Sequence, residues 1–146
     1  MRVKKVEGGF IVRLERGEEL VASLRELMKR HEIGCGSVTG LGAVDHARLG
    51  CYRLEHMDYV DKVVEGDLEV VGLTGTMSWY DGAPFPHVHM MLTDESFRAT
   101  GGHCFEARVS ATLELVVRAW SERIERRVDS AIGIHLMELG PGAPSS

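Results

Sequence analysis

The sequence predicts an α+β fold, a mainly antiparallel β-sheet entered through one amphipathic helix near the N-terminus. Three observations carry this. Only "GEELVASLRELMKRHEIG" repeats its apolar residues with helical period over more than two turns. Almost everything after it reads as β-rich segments punctuated by glycine. A helix followed by a run of strands, without strand–helix alternation, points to α+β rather than to a doubly wound sheet.

The first segment, "GGFIVRLERGEEL", alternates. Phe10, Val12 and Leu14 share one face, with Ile11 and Arg13 on the other, so it reads as a strand. The period then changes. Leu20, Leu24, Leu27 and Met28, with Val21, form one stripe of a helix over residues 17–32, and Glu18, Glu19 and Glu26 point outward. The acidic start and the basic end at Lys29, Arg30 and His31 complement the helix dipole, and Gly34 is placed to stop it. Strands follow in "CGSVTGLGAVDHARLGCYRL", "DLEVVGLTGTMSWY", "HVHMMLT", "ARVSATLELVVRAW" and "ERIERRV". "SWYDGAPFP" reads as a loop, and Trp79, Tyr80 and Phe85 are candidates to wall a pocket beside it. In "DLEVVGLTGTMSWY" strict alternation sets Leu68, Val70, Gly72, Thr74 and Thr76 against Glu69, Val71, Leu73, Gly75 and Met77. "VVGLTG" and "LELVV" look buried on both faces. Residues 1–140 are expected to form a single domain, and "GPGAPSS" leaves 141–146 as a flexible tail.

The composition excludes several classes. With 146 residues, 44% of them hydrophobic and 27% charged, the chain can bury a core without disulfide or metal staples. No apolar run is long enough to span a membrane as a helix. The N-terminus has basic residues but no apolar core of a signal peptide, which predicts a cytoplasmic protein. Cys35, Cys51 and Cys104 have no C-x-x-C spacing and read as free thiols in a reducing compartment. A net charge of −5 argues against strong binding to nucleic acid. The densest basic stretch, Arg118 to Arg127, also carries Glu122 and Glu125 and reads as a mixed-sign, solvated strand or loop. "GSVTGLGAV" lacks the Lys-Ser/Thr of a P-loop, so Gly40 and Gly42 are read as permitting bends or close strand packing.

The chemistry concentrates in "PFPHVHMMLTDESFRATGGHCFEARVSATLELVV", where His87, His89 and His103 fall within seventeen residues. Residues i and i+2 of a strand share a face, so His87 and His89 point together. "TDES" is a turn signal. If the arms form a hairpin, positions summing to 192 are opposed, and His89 faces His103 unless a bulge at Gly101 and Gly102 shifts the register. Three converging neutral imidazoles suit Zn²⁺ or another late divalent ion, and three protein ligands leave a fourth position open, the pattern of a catalytic zinc site. Zinc so held can lower the pKa of a bound water to about 7. Cys104 would face the other way. His31, His46, His56 and His135 have no such company and read as structural or surface residues.

These segments, in this order and spacing, resemble the PPC (plants and prokaryotes conserved) domain, which in plants follows AT-hook motifs in nuclear DNA-binding proteins. The resemblance runs over residues 10–139. It rests on "LERGEELVASL", "GCGSVTGLGAVDHARLG", "GDLEVVGLTGTMS", "PHVHMMLTD" and "GGHCFEARVSATLELVV". It implies an antiparallel sheet with flanking helices, hence a minor helix beyond the first, assembled as a homotrimer. It also implies a zinc or related metal at His87, His89 and His103. Glu69 in "GDLEVV" matches an acidic position of the family and is a candidate general base or partner to a ligating histidine. The chain has no R-G-R-P-type AT-hook, so DNA binding transfers poorly. Self-association is expected independently, because one helix cannot hide both faces of a sheet of six or more strands. Two functions stay open: a metal-dependent enzyme or small-molecule binder, and a non-enzymatic trimeric module for DNA or protein with a structural metal.

Overall fold

The alternation at Phe10, Val12 and Leu14 places all three in the core, as the second strand of a sheet whose first strand the sequence reading missed. The computed structural model describes residues 1–140, and the expected tail at 141–146 lies outside them. Strand β1 (Arg2–Val6) pairs with β2 (Gly9–Glu15) through a tight turn at Glu7 and Gly8. "RVKKV" is charged and mostly exposed, as suits an edge strand that must not recruit another chain.

Helix α1 (Leu20–Arg30) buries Leu20, Val21, Leu24, Leu27 and Met28 and is shorter at both ends than residues 17–32. At its start Gly17 and Glu18 are held by backbone hydrogen bonds with Val109. Glu19 does not simply face outward: it is the N-cap, accepting from the N–H groups of Val21 at 2.9 Å, Ala22 at 2.6 Å and Ala107 at 3.1 Å. At its end His31 is the C-cap, and the left-handed position falls to Glu32, with φ 52°, rather than to Gly34. Gly34 instead passes against the backbone of Ser121 and Glu122, where a Cβ would lie 2.3 Å from the Ser121 oxygen.

The remaining strands are long: β3 (Cys35–Arg53), β4 (Asp58–Tyr80), β5 (Ala83–Thr93) and β6 (Ala99–Trp120). The six-stranded sheet runs β1-β2-β6-β3-β4-β5, all antiparallel, and β5 also pairs with β6. Strands β3, β4, β5 and β6 therefore close a circuit of pairings. Helix α1 packs on β5 and β6, and Val44, Leu49, Val70, Val88, Leu92, Val109 and Leu113 complete the core with it. Bends come where glycine permits them: Gly42 has φ +151° and sits at register shifts between β3 and its neighbours.

Strict alternation along β4 fails for a physical reason. A register shift between Val70 and Gly72 inserts one extra residue, so the buried set is Leu68, Val70, Leu73 and Met77. Nor are "VVGLTG" and "LELVV" buried on both faces of the subunit: Val71 is 55% and Val116 51% exposed. "SWYDGAPFP" is not an open loop but a β-hairpin turning at Asp81 and Gly82, both with positive φ. Beyond β6, the chain forms β7 (Arg126–Asp129) and β8 (Ile134–Met137), a hairpin paired with itself. The minor flanking helix has no counterpart among the described residues, because this hairpin takes most of the chain left after β6.

Candidate metal centre

Strand pleating alone divides β5. Val88, Met90 and Leu92 point into the core, and Phe85, His87, His89 and Met91 point to the opposite face. On β6, Cys104 and Ala107 are buried, leaving His103 and Phe105 on the histidine face. The β5–β6 register is unshifted: His89 is opposite His103, Met90 opposite Gly102 and Met91 opposite Gly101. The two glycines let strands approach rather than bulge. A Cβ on Gly102 would lie 2.5 Å from the Gly50 carbonyl oxygen of β3, and one on Gly101 would lie 2.7 Å from that of Met90.

The three rings meet. Their centroids are 4.9–5.5 Å apart, and one ligand nitrogen from each lies within 4.8 Å of the others. The Nε2 atoms of His87 and His89 are 3.1 Å apart. Two nitrogens on one tetrahedral zinc at the usual bond length are about 3.3 Å apart. Burial is the main reason that His87 and His103 are pushed down to about 4; Arg126 and His89 add to it at His87, and His87, His89 and Arg48 at His103. Both rings are thus uncharged at neutral pH, with a lone pair free to donate. Nδ1 of His103 is buried with no hydrogen-bond partner, so the ring's polar capacity is not met by the surrounding protein. Donor type, spacing and protonation state all fit a late divalent ion.

A cavity of about 440 Å³ opens beside His87 and His103. Phe85, Phe105, Tyr59, Tyr52, Met57 and His135 line it, with Arg25 and Asp58. The Tyr59 ring lies 5.2 Å from His103 and meets Phe105 edge-on. The Tyr52 hydroxyl donates to the Ile132 carbonyl at 2.5 Å, tying the β3–β4 arm to the turn of the C-terminal hairpin. Of the aromatic residues expected to wall a pocket, only Phe85 does. The Trp79 indole donates to the Ile33 carbonyl and carries Arg123 on its face, while Tyr80 packs against Phe85 and His135.

Glu69 is exposed and paired with Thr93, on the histidine face but four residues along from His89, about 13 Å at strand spacing. It is not part of the ligating cluster within the subunit. His31 packs on Phe10, His46 lies between Glu65 and Glu106, and His56 is exposed. Cys104 is sealed in the core, where burial pushes its thiol up to about 12. Cys35, Cys51 and Cys104 are all unpaired.

The sequence reading missed Arg126. Far from solvated, it is 8% exposed, with Nε donating to Ser78 Oγ at 2.7 Å, Nη1 to the His135 carbonyl at 2.6 Å and Nη2 to Thr76 Oγ1 at 3.0 Å. Its guanidinium lies 5.0 Å from the Phe85 ring centre. Thr76 and Ser78 are the cross-strand partners of His87 and Phe85, which places this cation at the histidines' border. Only the packing of the separate β7–β8 hairpin against β4 brings Arg126 there, so no local signal marks it.

Known proteins share this arrangement of strands. A metal-containing protein from Archaeoglobus fulgidus is 34% identical over 94% of this chain and 95% of its own, with a TM-score of 0.83. A plant- and prokaryote-conserved (PPC) protein from Pyrococcus horikoshii is 27% identical over 96% of this chain and 95% of its own, with a TM-score of 0.84. A candidate DNA-binding protein from Ralstonia eutropha is 27% identical over 94% of this chain and 96% of its own, with a TM-score of 0.89. No curated protein is a significant match. Residues 1–121 match the Plants and Prokaryotes Conserved (PCC) domain, starting nine residues before the resemblance quoted above and ending before the C-terminal hairpin. With sheet, helix and histidine hairpin all in place, the chain belongs to the Plants and Prokaryotes Conserved domain family.

Proposed function

We propose that this protein binds one divalent transition-metal ion per subunit, zinc in the first place, through His87, His89 and His103, and that it works on or binds a small molecule in the adjoining cavity. The observation that carries this is the approach of three ligand nitrogens to within 4.8 Å beside a cavity of about 440 Å³. Three neutral ligands with an open fourth position are the pattern of catalytic zinc, which supplies Lewis acidity to whatever enters. The Archaeoglobus relative's description as metal-containing supports the reading. Glu69 is proposed as base or hydrogen-bond partner across a subunit contact, since within the subunit it stands clear of the cluster.

The proposed assembly is a homotrimer. Ile11, Leu41, Val71, Met91 and Val116, 44–62% exposed, run across the sheet face away from α1. Burying such a run is what self-association achieves. No helix of the described residues is long and apolar enough to cross a membrane. The cytoplasm is the proposed compartment, on the strength of three unpaired thiols.

Metal analysis of protein purified without added metal tests the site. About one ion per subunit is expected, lost when any of the three histidines becomes Ala; full retention by His103→Ala refutes a shared site. A second reading, DNA binding, is favoured by the description of the Ralstonia relative. A net charge of −5 weighs against it. A salt-resistant, sequence-specific complex of the isolated chain with duplex DNA would establish it.

A further inference from the structure

Charge around the cavity does not balance. Three neutral imidazoles leave a divalent ion with its full charge. Arg126 adds another positive charge that cannot be discharged by losing a proton at any physiological pH. Among the described residues Arg126 has no carboxylate partner, and three of its five N–H donors are engaged, all with neutral oxygens. Arg25, on the cavity wall, also has no acidic partner among the described residues. The one carboxylate lining the cavity, Asp58, has both oxygens bound to Arg53, at 2.9 and 2.6 Å. An acidic protein has thus placed uncompensated positive charge on the cavity wall, at Arg25, and directly behind that wall, at Arg126 against the Phe85 ring. Burying an unpaired charge is costly, and a mobile anion is the remaining way to offset it.

We propose that the cavity takes a small organic carboxylate, its charged end at the histidine-bound metal, on the side where Arg126 stands behind Phe85, and its carbon skeleton against Phe85, Phe105, Tyr59 and Met57. The proposal rests on the metal reading above and narrows its ligand from any small molecule to an anion with an apolar body. The aromatic wall selects the skeleton by contact area, and the Arg25 side chain at the mouth favours approach of negative charge. The structural alternative for Arg126 is a clamp that fixes the C-terminal hairpin to β4. A clamp alone makes no distinction between charged and neutral ligands.

The test uses the full chain loaded with Co²⁺, whose visible absorption reports its ligand sphere. Acetate, benzoate and phenylacetate are titrated in parallel with their primary amides. Saturable spectral change by at least one acid is expected, with its amide at least about tenfold weaker, the worth of one charge-assisted hydrogen bond. Arg126→Gln should weaken the acid by about tenfold or more at unchanged Co²⁺ content. Protein that holds one Co²⁺ per subunit yet responds to none of the acids, or equally to acid and amide, overturns the proposal and leaves the metal reading standing. Failure to hold Co²⁺ at all overturns the metal reading itself. If Arg126→Gln does not fold, the acid–amide comparison on the native chain decides.

Discussion

Lowering the pH should leave metal binding at His87 and His103 intact far longer than free imidazoles would. An ion must displace any proton on its ligand, so affinity falls once the pH drops below the ligand's pKa in the metal-free protein. With the ordinary value of 6.5, an imidazole at about pH 5 costs roughly 30-fold in affinity, and two cost about 1000-fold. With both held near 4 the combined factor is only about 1.2. Burial is the main cause at each ring, so the effect needs the folded hairpin. Calorimetric titration of metal-free protein with Zn²⁺ at about pH 7.5 and about pH 5 checks this. A fall of 1000-fold or more over that interval would refute the claim that the fold keeps these rings neutral. The metal-free protein carries the matching signature. Its folded-state values lie below the unfolded 6.5, so the unfolded chain binds more protons between about 6.5 and 4. The stability from keeping these rings neutral is complete above about pH 6.5 and is lost as the pH falls through about 4.

Gly102→Ala drives a Cβ into the Gly50 carbonyl, a backbone atom that cannot swing aside. It should cost about 1–3 kcal/mol, read by denaturant unfolding, and should weaken metal binding by displacing His103. Glu19→Ala removes the helix N-cap and orphans the buried Ala107 N–H, for a combined loss of about 2–4 kcal/mol, visible as a lower unfolding midpoint. If the proposed trimer forms, Val116→Glu should lower its light-scattering mass toward that of one subunit at micromolar concentration, and unfolding of the native protein should depend on its concentration. A native mass of one subunit in folded protein would contradict the assembly.

What the sequence disclosed was local. The helix, the core stripe Leu20–Leu24–Leu27–Met28 and the pairing of His89 with His103 depend on residues close in the chain, where period and turn chemistry decide the outcome. The tight turn at Asp81 and Gly82 is equally local, yet "SWYDGAPFP" reads as a loop because its Gly and Pro residues mask the pairing of the flanking strands. Contacts across long separations stayed hidden. Arg126 reaches Thr76 and Ser78 across 50 and 48 residues, and Tyr52 reaches Ile132 across 80. The extra residue near Val71 was hidden too, because a bulge preserves apolar composition while reversing which side chains are covered. The hairpin at the heart of the site could be drawn from the sequence, but the cavity beside it, built by three distant segments, could not.

The opposition of His89 and His103 gives the β5–β6 hairpin two kinds of position. Side chains change face at every step along each arm, so removing a single residue between His89 and Thr93 would turn His87 and His89 toward the core, and removing one between Ala99 and His103 would turn His103. The tip is under no such rule. Asp94 closes it by accepting the N–H groups of Ser96 and Arg98, and Phe97 projects into solvent. Doubling that loop would cost only about 0.6 kcal/mol in closure entropy. The tip is therefore a natural insertion point, open to a fluorophore or an epitope a few residues from the histidines, provided the reading frame of the two arms is kept.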